Sequence, residues 1–401
     1  MGIFFHIDVN SAFLSWTALE ELKNGNTIDI RTIPSIVGGD TEKRHGIVLA
    51  KSIPAKAYGI QTAEPVVNAF RKCPNLVMVP PNHTMYKERS NALMQYLFTI
   101  CPEIEQVSID ECYMDFTPIS GQYTSPEAAA SFIKDSVYEK FGFTVNIGIS
   151  DRKVLAKMAS DFKKPNLVHT LYKAEIKTKL WPLPISSLFM CGGSSVEVLR
   201  KLGITTIGDL AGSNLEIIKA HLKSHGQTLW EYANGIDASI VGAQPVKMKG
   251  IGNSVTLSQD VVTKEAAYNT LLSLAESVGS RVRASSELAG MVSTEIKYAT
   301  FQSVSHQTTL ETPSDSTDTI YHTACRLFDE LWNGTPVRLL GIRVSKLISN
   351  TEPTQISLFD YQAQTPESEK HKKLDAALDS LRNKYGKNII KRGSLMDSPN
   401  S

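Results

Sequence analysis

Residues 105–117 read EQVSIDECYMDFT. Asp110 and Glu111 interrupt two short apolar runs, at 107–109 and 112–116. That spacing predicts a β-hairpin whose bend displays carboxylates. A further acid, Asp8, ends the first strand-like run, IFFHID at 3–8. Three carboxylates at strand ends suit divalent cations that prefer oxygen ligands, such as Mg2+. Paired ions of that kind support in-line phosphoryl and nucleotidyl transfer. A solvated turn between strands would carry the same residues, and this segment alone leaves both readings open.

The surrounding pattern brings the acids together. Residues 1–10 read as a strand and 11–24 as a helix stopped by Asn24-Gly25. Residues 26–75 are mixed, with strand runs near 33–37 and 47–50 broken by Gly38-Gly39, Pro54, Gly59 and Pro65. A strand (76–79), a helix (82–99), the hairpin (104–116), a helix (126–140) and a strand (144–149) follow. Another helix begins at Ser150-Asp151 and ends before Pro165. Residues 1–10 and 76–165 thus resemble a β-α-β-β-α-β unit with an insertion after its first strand. That topology makes Asp8, Asp110 and Glu111 neighbours.

Residues 170–236 read as a small helical module. Its turns, CGGSS (191–195) and the middle of LRKLGITTIGDLAG (199–212), resemble each other. Each can offer backbone N–H groups to phosphates, or serve only helix packing. Residues 244–349 form a second α+β unit: a strand to 261, a helix (264–284), strands at 290–301 and 304–311, a helix (315–333) and a strand (337–348). Lys247, Lys249, Lys297, Arg338, Arg343 and Lys346 are spaced to line one sheet face, for phosphates or for solvent. The tail from 350 is polar, with one apolar island at 356–359 and a charged amphipathic helix at 368–386. The island suits docking into a partner's pocket or packing back on its own protein.

The chain's 401 residues can bury several cores and predict two to four domains. Hydrophobic residues make up 42% and charged residues 21%, an ordinary soluble mix. The net charge of +1 neither supports nor excludes nucleic acid, because a basic groove can be offset by acidic surface elsewhere. Five scattered cysteines, Cys73, Cys101, Cys112, Cys191 and Cys325, form no CxxC pair. They point to a reducing cytosol rather than a disulfide scaffold or zinc ribbon. No run of about 18 apolar residues predicts a membrane span. The start of the chain lacks a basic leader and an acylation motif.

Four motifs in order, FFHIDVNSAFLSW (4–16), YKERSNALM (86–94), VSIDECYMDF (107–116) and GISDRKVLAKMASDFKKPN (148–166), resemble those of the Y-family DNA polymerases, nearest to the DNA polymerase IV and UmuC-like bacterial members. The resemblance covers roughly 3–348. It implies an α+β right-hand polymerase with a ferredoxin-like palm (1–10 and 76–168), small fingers (11–75), a helical thumb (169–236), an α+β little finger (244–349) and a flexible tail (350–401). It implies a low-fidelity translesion polymerase without proofreading, monomeric and cytoplasmic, acting on primer-template DNA and deoxynucleoside triphosphates. Asp8 and Asp110 match metal-binding aspartates, Glu111 matches the catalytic glutamate, and the Val9 carbonyl would complete a site for two Mg2+ ions. The backbone of Asn10, Ser11, Ala12 and Phe13 would cradle the triphosphate, and the Phe13 ring would exclude ribonucleotides. Lys164 and Tyr86 match positions near the incoming nucleotide, as do Ser90 and Ser108. In AKSIPAKAYG (50–59) the usual Tyr and Arg are replaced by Ile53 and Lys56, which leaves Ser52, Lys56 and Lys51 as candidate contacts. Gln355, Leu358 and Phe359, in QISLF (355–359), are similar to a sliding-clamp binding peptide.

Two rival readings remain. A nucleotide cyclase shares the palm arrangement, and Gly38-Gly39-Asp40 resembles its signature, but that tripeptide lies away from the hairpin. A non-catalytic clamp-associated DNA-binding protein would explain the altered 50–59 segment but not the intact acids.

Overall fold

The computed structural model describes residues 2–39, 46–242, 248–351, 366–386, 389–390 and 392–393, with the backbone alone at 366–369 and 371. Their contacts form two compact units, divided between residues 245 and 246.

The first unit begins with β1 (Phe4–Val9), all six residues of which are buried. Ser11, at φ 46°, turns the chain sharply into α1 (Ala12–Lys23). Next come β2 (Ser35–Gly38), β3 (Val48–Lys51), α2 (Ile53–Ala57), α3 (Val66–Lys72) and β4 (Val77–Val79). β2 pairs antiparallel with β3 and parallel with β4, making a separate three-stranded sheet. The strand expected at 76–79 therefore belongs to this inserted sheet and not to the main one. Three apolar residues carry no periodicity that names a partner.

The main sheet is built from β1, β5 (Ile104–Gln106), β6 (Glu111–Asp115), β7 (Val145–Ser150) and β8 (Val168–Thr170), in the order β5-β6-β1-β7-β8. Between them run α4 (His83–Ile100), α5 (Pro126–Phe141) and α6 (Lys153–Ser160). Local signals set these helices. Asn82 caps α4 by accepting from the Met85 N–H, and Ser125 caps α5 by accepting from the Ala128 N–H. Gly142, at φ 74°, stops α5. Phe5, Ile7 and Val9 pack in one core with Leu93 and Leu97 of α4 and Ile133 and Val137 of α5. The alternate residues His6 and Asp8 turn to the opposite face, where His6 bonds to Ser160 of α6. Covering on both faces explains why even the polar residues of β1 are buried.

A helical part closes the unit: α7 (Gly193–Lys201), α8 (Ile207–Ala211) and α9 (Leu215–Ala233). At the start of α8, Asp209 accepts from the Thr205 and Thr206 N–H groups in a reciprocal cap with Thr206. Those two donors are therefore committed, and Asp209 is held down to about 2 by the backbone bonds from Thr205 and Thr206. Gly192 and Gly193, by contrast, border open space.

The second unit contains β9 (Gly250–Val261), α10 (Lys264–Ala284), β10 (Glu287–Tyr298), β11 (Ser303–Ser314), α11 (Thr317–Leu331) and β12 (Val337–Ser349). The antiparallel sheet has the order β11-β10-β12-β9. Val292, Ile296, Leu340 and Val344 join Leu271, Val278 and Phe328 of the helices in its core. Lys297 and Arg343 alternate with those core residues and so occupy the sheet's other face. Lys297 and Arg338 both lie over the Phe301 ring, at 5.2 and 4.8 Å. Lys247 lies outside the described residues.

The last helix, α12 (Pro366–Tyr385), is not a free end. Asp379 pairs with Arg283 at 2.6 Å, and Arg382 and Arg392 both pair with Glu276. Buried Asp375 accepts from the Thr317 N–H at the start of α11. The helix expected at 368–386 within the tail is present and is tied to the second unit by these contacts. Gln355, Leu358 and Phe359 lie outside the described residues.

Candidate active site

β1 and β6 place Asp8 directly opposite Glu111 in the ladder. One residue on, the Val9 N–H donates to the Asp110 carbonyl at 3.0 Å. On the far side of β1, Asp8 pairs in register with Asn146 of β7. Asp8, Asp110 and Glu111 are therefore neighbours along the backbone. Their carboxylates divide among different partners. Asp110 accepts from the Ser108 hydroxyl at 2.7 Å. Among the described residues, no three His, Cys, Asp or Glu side chains stand together as an ion-holding group. Asp8 and Glu111 share a lysine, whereas Asp110 turns to the Ser108 hydroxyl.

Two lysines supply the positive charge. Lys157 Nζ lies 2.7 Å from Glu111 Oε1, 3.6 Å from Asp8 Oδ2 and 3.3 Å from Asp161. Lys164 Nζ lies 2.8 Å from both Asp8 Oδ1 and Asp161 Oδ1. Burial opposes the charge on each lysine, but the surrounding carboxylates outweigh it and hold both ammonium groups above the ordinary lysine value. Burial pushes Asp8 up to about 7, against the opposing pull of Lys164. Glu111 is held below the usual carboxylate range, first by His6 and then by Asp8 and Lys157. The two carboxyls titrate as a pair, Asp8 shifted up by burial and Glu111 shifted down by its partners.

His6 is fully buried, and burial keeps its imidazole neutral. His6 Nδ1 and Ser160 Oγ lie within hydrogen-bond reach at 2.8 Å, and Ser160 Oγ also reaches the Lys157 carbonyl at 2.8 Å. His6 Nε2 then faces Glu111 Oε2 at 3.6 Å, too far for a hydrogen bond, and has no other partner. The donor set is all oxygen. The Lys157 ammonium spanning Asp8 and Glu111 shows that the gap between them accepts a cation. These residues fit a divalent ion such as Mg2+.

The turn into α1 flanks this pair. Asn10 is buried, and its N–H is committed to the Thr144 carbonyl at 3.0 Å. Only the donors from Ser11 onward, in the first turn of α1, lack intrahelical acceptors. The expected cradle thus loses its Asn10 N–H. Ser11 is exposed and Ala12 buried. Phe13 is half-buried and stacks flat on Tyr86, with centroids 4.4 Å apart and an 8° tilt. Tyr86 is completely buried and its hydroxyl bonds to Thr17 at 2.8 Å. Tyr86 thus supports the Phe13 ring from beneath.

Ser52 is held within its own segment. Its hydroxyl donates to the Ile33 carbonyl and accepts from the Ser35 and Ala55 N–H groups, which exhausts it as the cap of α2. Lys56 is exposed, as are Ile53 and Tyr58. Burial lowers Lys51, and the nearby charge of Lys56 lowers it further. Two lysines that repel each other make a spot that favours anions.

Sequence reading did not single out His6, Asn146, Lys157 or Asp161. The signal for Lys157 and Asp161 was present: they stand four apart in the 148–166 motif, on one face of α6.

A family model described as "impB/mucB/samB family" matches residues 7–161, and "impB/mucB/samB family C-terminal domain" matches 248–358. The chain is 46% identical over 395 residues to "DNA polymerase IV" of Clostridium acetobutylicum, covering 98% of each. It is 37% identical to "DNA polymerase IV" of Alkaliphilus oremlandii, covering 98% of this chain and 99% of the relative. "DNA polymerase IV 1" of Bacillus subtilis is 34% identical, over 100% of this chain and 94% of the relative. A solved structure, a Y-family DNA polymerase chimera of Dbh and Dpo4, shares the fold with a TM-score of 0.75 at 21% identity, over 87% of this chain and 100% of its own. Full-length identity, both family models and the fold agree: the chain belongs to the Y-family DNA polymerases, on the DNA polymerase IV branch.

Proposed function

We propose that this DNA-directed DNA polymerase extends primers past damaged template bases, with low fidelity and no proofreading, by two-ion nucleotidyl transfer. The observation that carries the reading is Asp8 and Glu111 facing each other across β1 and β6, with a cation between them. Asp8, Asp110, Glu111 and the Val9 carbonyl would hold two Mg2+ ions. When bound, these ions supply activation of the primer 3′-hydroxyl and neutralisation of the leaving pyrophosphate.

The chain's own groups do the rest. The first turn of α1, from Ser11, offers N–H groups and the positive end of the helix dipole to the triphosphate. Lys164 adds charge to the same phosphates, exchanging Asp8 and Asp161 for them. Lys51 and Lys56 contact the phosphate tail from α2 and its flank. The Phe13 ring, braced by Tyr86, closes the space a 2′-hydroxyl would need. Lys157 holds Glu111 and Asp8 in place. The main sheet with α4–α6 acts as palm, the inserted sheet as fingers, α7–α9 as thumb, and the second unit as the extra DNA-gripping domain. Gln355, Leu358 and Phe359 would dock on the sliding clamp, and the polymerase would act as a cytoplasmic monomer. Among the described residues, no helix is long and apolar enough to cross a membrane.

Primer extension tests this. With Mg2+ and deoxynucleotides the purified chain extends a primed template, undamaged or damaged. Glu111→Gln and Asp110→Ala lower extension by about 10²–10³-fold or more, the scale of losing a group that acts only in the transition state. Extension retained by both variants ends the site assignment.

A further inference from the structure

We propose that Asn146 is a positioning residue that sets the spacing between Lys164 and the first turn of α1. This inference rests on the reading of those two groups as the triphosphate grip. Asn146 lies mid-strand in β7, in register with Asp8, and is completely buried. An amide with no access to water must find all its partners inside the protein.

It finds four. Its Nδ2 donates to the Ser160 carbonyl at 3.1 Å and the Lys163 carbonyl at 2.6 Å. Its Oδ1 accepts from the Leu167 N–H at 3.2 Å and from Asn10 Nδ2 at 3.1 Å. Two donor hydrogens and two acceptor positions are all that an asparagine has. The partners also fix which end is nitrogen, because two carbonyls meet one end and a backbone N–H meets the other.

The geometry joins two segments far apart in sequence. Residues 160, 163 and 167 bracket Lys164. Asn10 is the hinge between β1 and α1. Asn10 makes a second bond across the same gap, its Oδ1 accepting from the Asn166 N–H at 2.9 Å, and a third from Thr144 Oγ1 at 2.9 Å. Two amides therefore clamp the Lys164 loop to the root of α1. Both side-chain amides are committed to protein partners, so Asn146 acts through Lys164 and the α1 turn.

The test is single-nucleotide incorporation at varied deoxynucleotide concentration. Asn146→Ala raises KM for the nucleotide about tenfold or more, as small misplacements of binding groups do, while kcat changes less than about threefold. Asn146→Ser, which keeps one donor, falls between. In a Lys164→Ala background the same Asn146 substitution changes KM less than about twofold, because the group it places is gone. Melting temperature is followed throughout, and Asn146→Ser carries the test where the alanine variant does not fold. An unchanged KM in an active variant overturns the inference alone, as does an equal rise in KM with and without Lys164. Absence of incorporation by the unaltered chain overturns the polymerase reading and this inference with it.

Discussion

Asp8 and Glu111 are both carboxylic acids but shift in opposite directions, and the cause is burial and partners. Asp8 keeps its proton up to about 7, against an ordinary value of 3.8. Between those limits the folded chain binds more protons at Asp8 than the unfolded one. Stability from this residue therefore falls as pH rises through that window. Glu111 is depressed, so its contribution is present above its ordinary value and lost as pH falls below it. Asp8→Asn mimics the protonated acid. In chelator it raises the melting temperature by about 2–4 °C at pH 8 and has no such effect near pH 4. Equal effects at both pH values, followed by calorimetry, would remove the account. Ion binding must also displace the Asp8 proton, so Mg2+ affinity weakens below about pH 7. A Mg2+ titration flat from pH 6 to 8 would contradict it. At Phe13 the prediction concerns sugar choice. Phe13→Ala raises ribonucleotide incorporation about tenfold or more relative to deoxynucleotide, because the ring and not a hydrogen bond does the excluding. An unchanged ratio would return Phe13 to the core.

Elements were legible where a period or a cap named them. The helix from 126 has Ser125, Pro126 and Gly142 at its ends, and its bounds follow from them. Asp110 and Glu111 were legible because charge breaks an apolar hairpin. The partner of the strand at 77–79 was not, because three residues fit either sheet. Strand order was also hidden. Both units run β-α-β-β-α-β, yet the pairings place β1 inside its sheet and β9 at an edge. Of the site residues, the burial of Ser52 and Tyr86 was hidden, because motif position does not show it. Asn146 was missed because one polar residue in an apolar strand does not say what it will meet. What holds α6 against β7 is visible only in three dimensions. A Cβ on Gly148 would lie 2.0 Å from the Ala156 carbonyl oxygen and 2.4 Å from the Ser160 N, both backbone atoms that cannot yield alone. Gly148→Ala must push α6, with Lys157, off the sheet. It costs about 3 kcal/mol or more and lowers extension with it. A variant with normal melting and normal extension would show that α6 tolerates displacement.

At the scale of the whole chain, each unit has its own apolar cores, with Phe5, Ile7 and Leu155 in the first and Leu271, Ile296 and Phe328 in the second. Separate cores predict separate cooperative transitions on heating. The lock on α12 lies wholly within the second unit. Arg283 donates through Nε to Asp379 at 2.6 Å and through Nη1 to the Asp315 carbonyl at 2.7 Å, beside buried Asp375. Arg283→Ala removes those bonds and leaves Asp375 with the Thr317 N–H and a distant Arg392. Breaking a largely buried ion pair costs about 3 kcal/mol. In a unit of this size that lowers one transition by about 6–12 °C. The transition that Gly148→Ala moves stays where it was. Differential scanning calorimetry of the two variants reads this directly. A single transition that both substitutions shift equally would show that the units melt as one body.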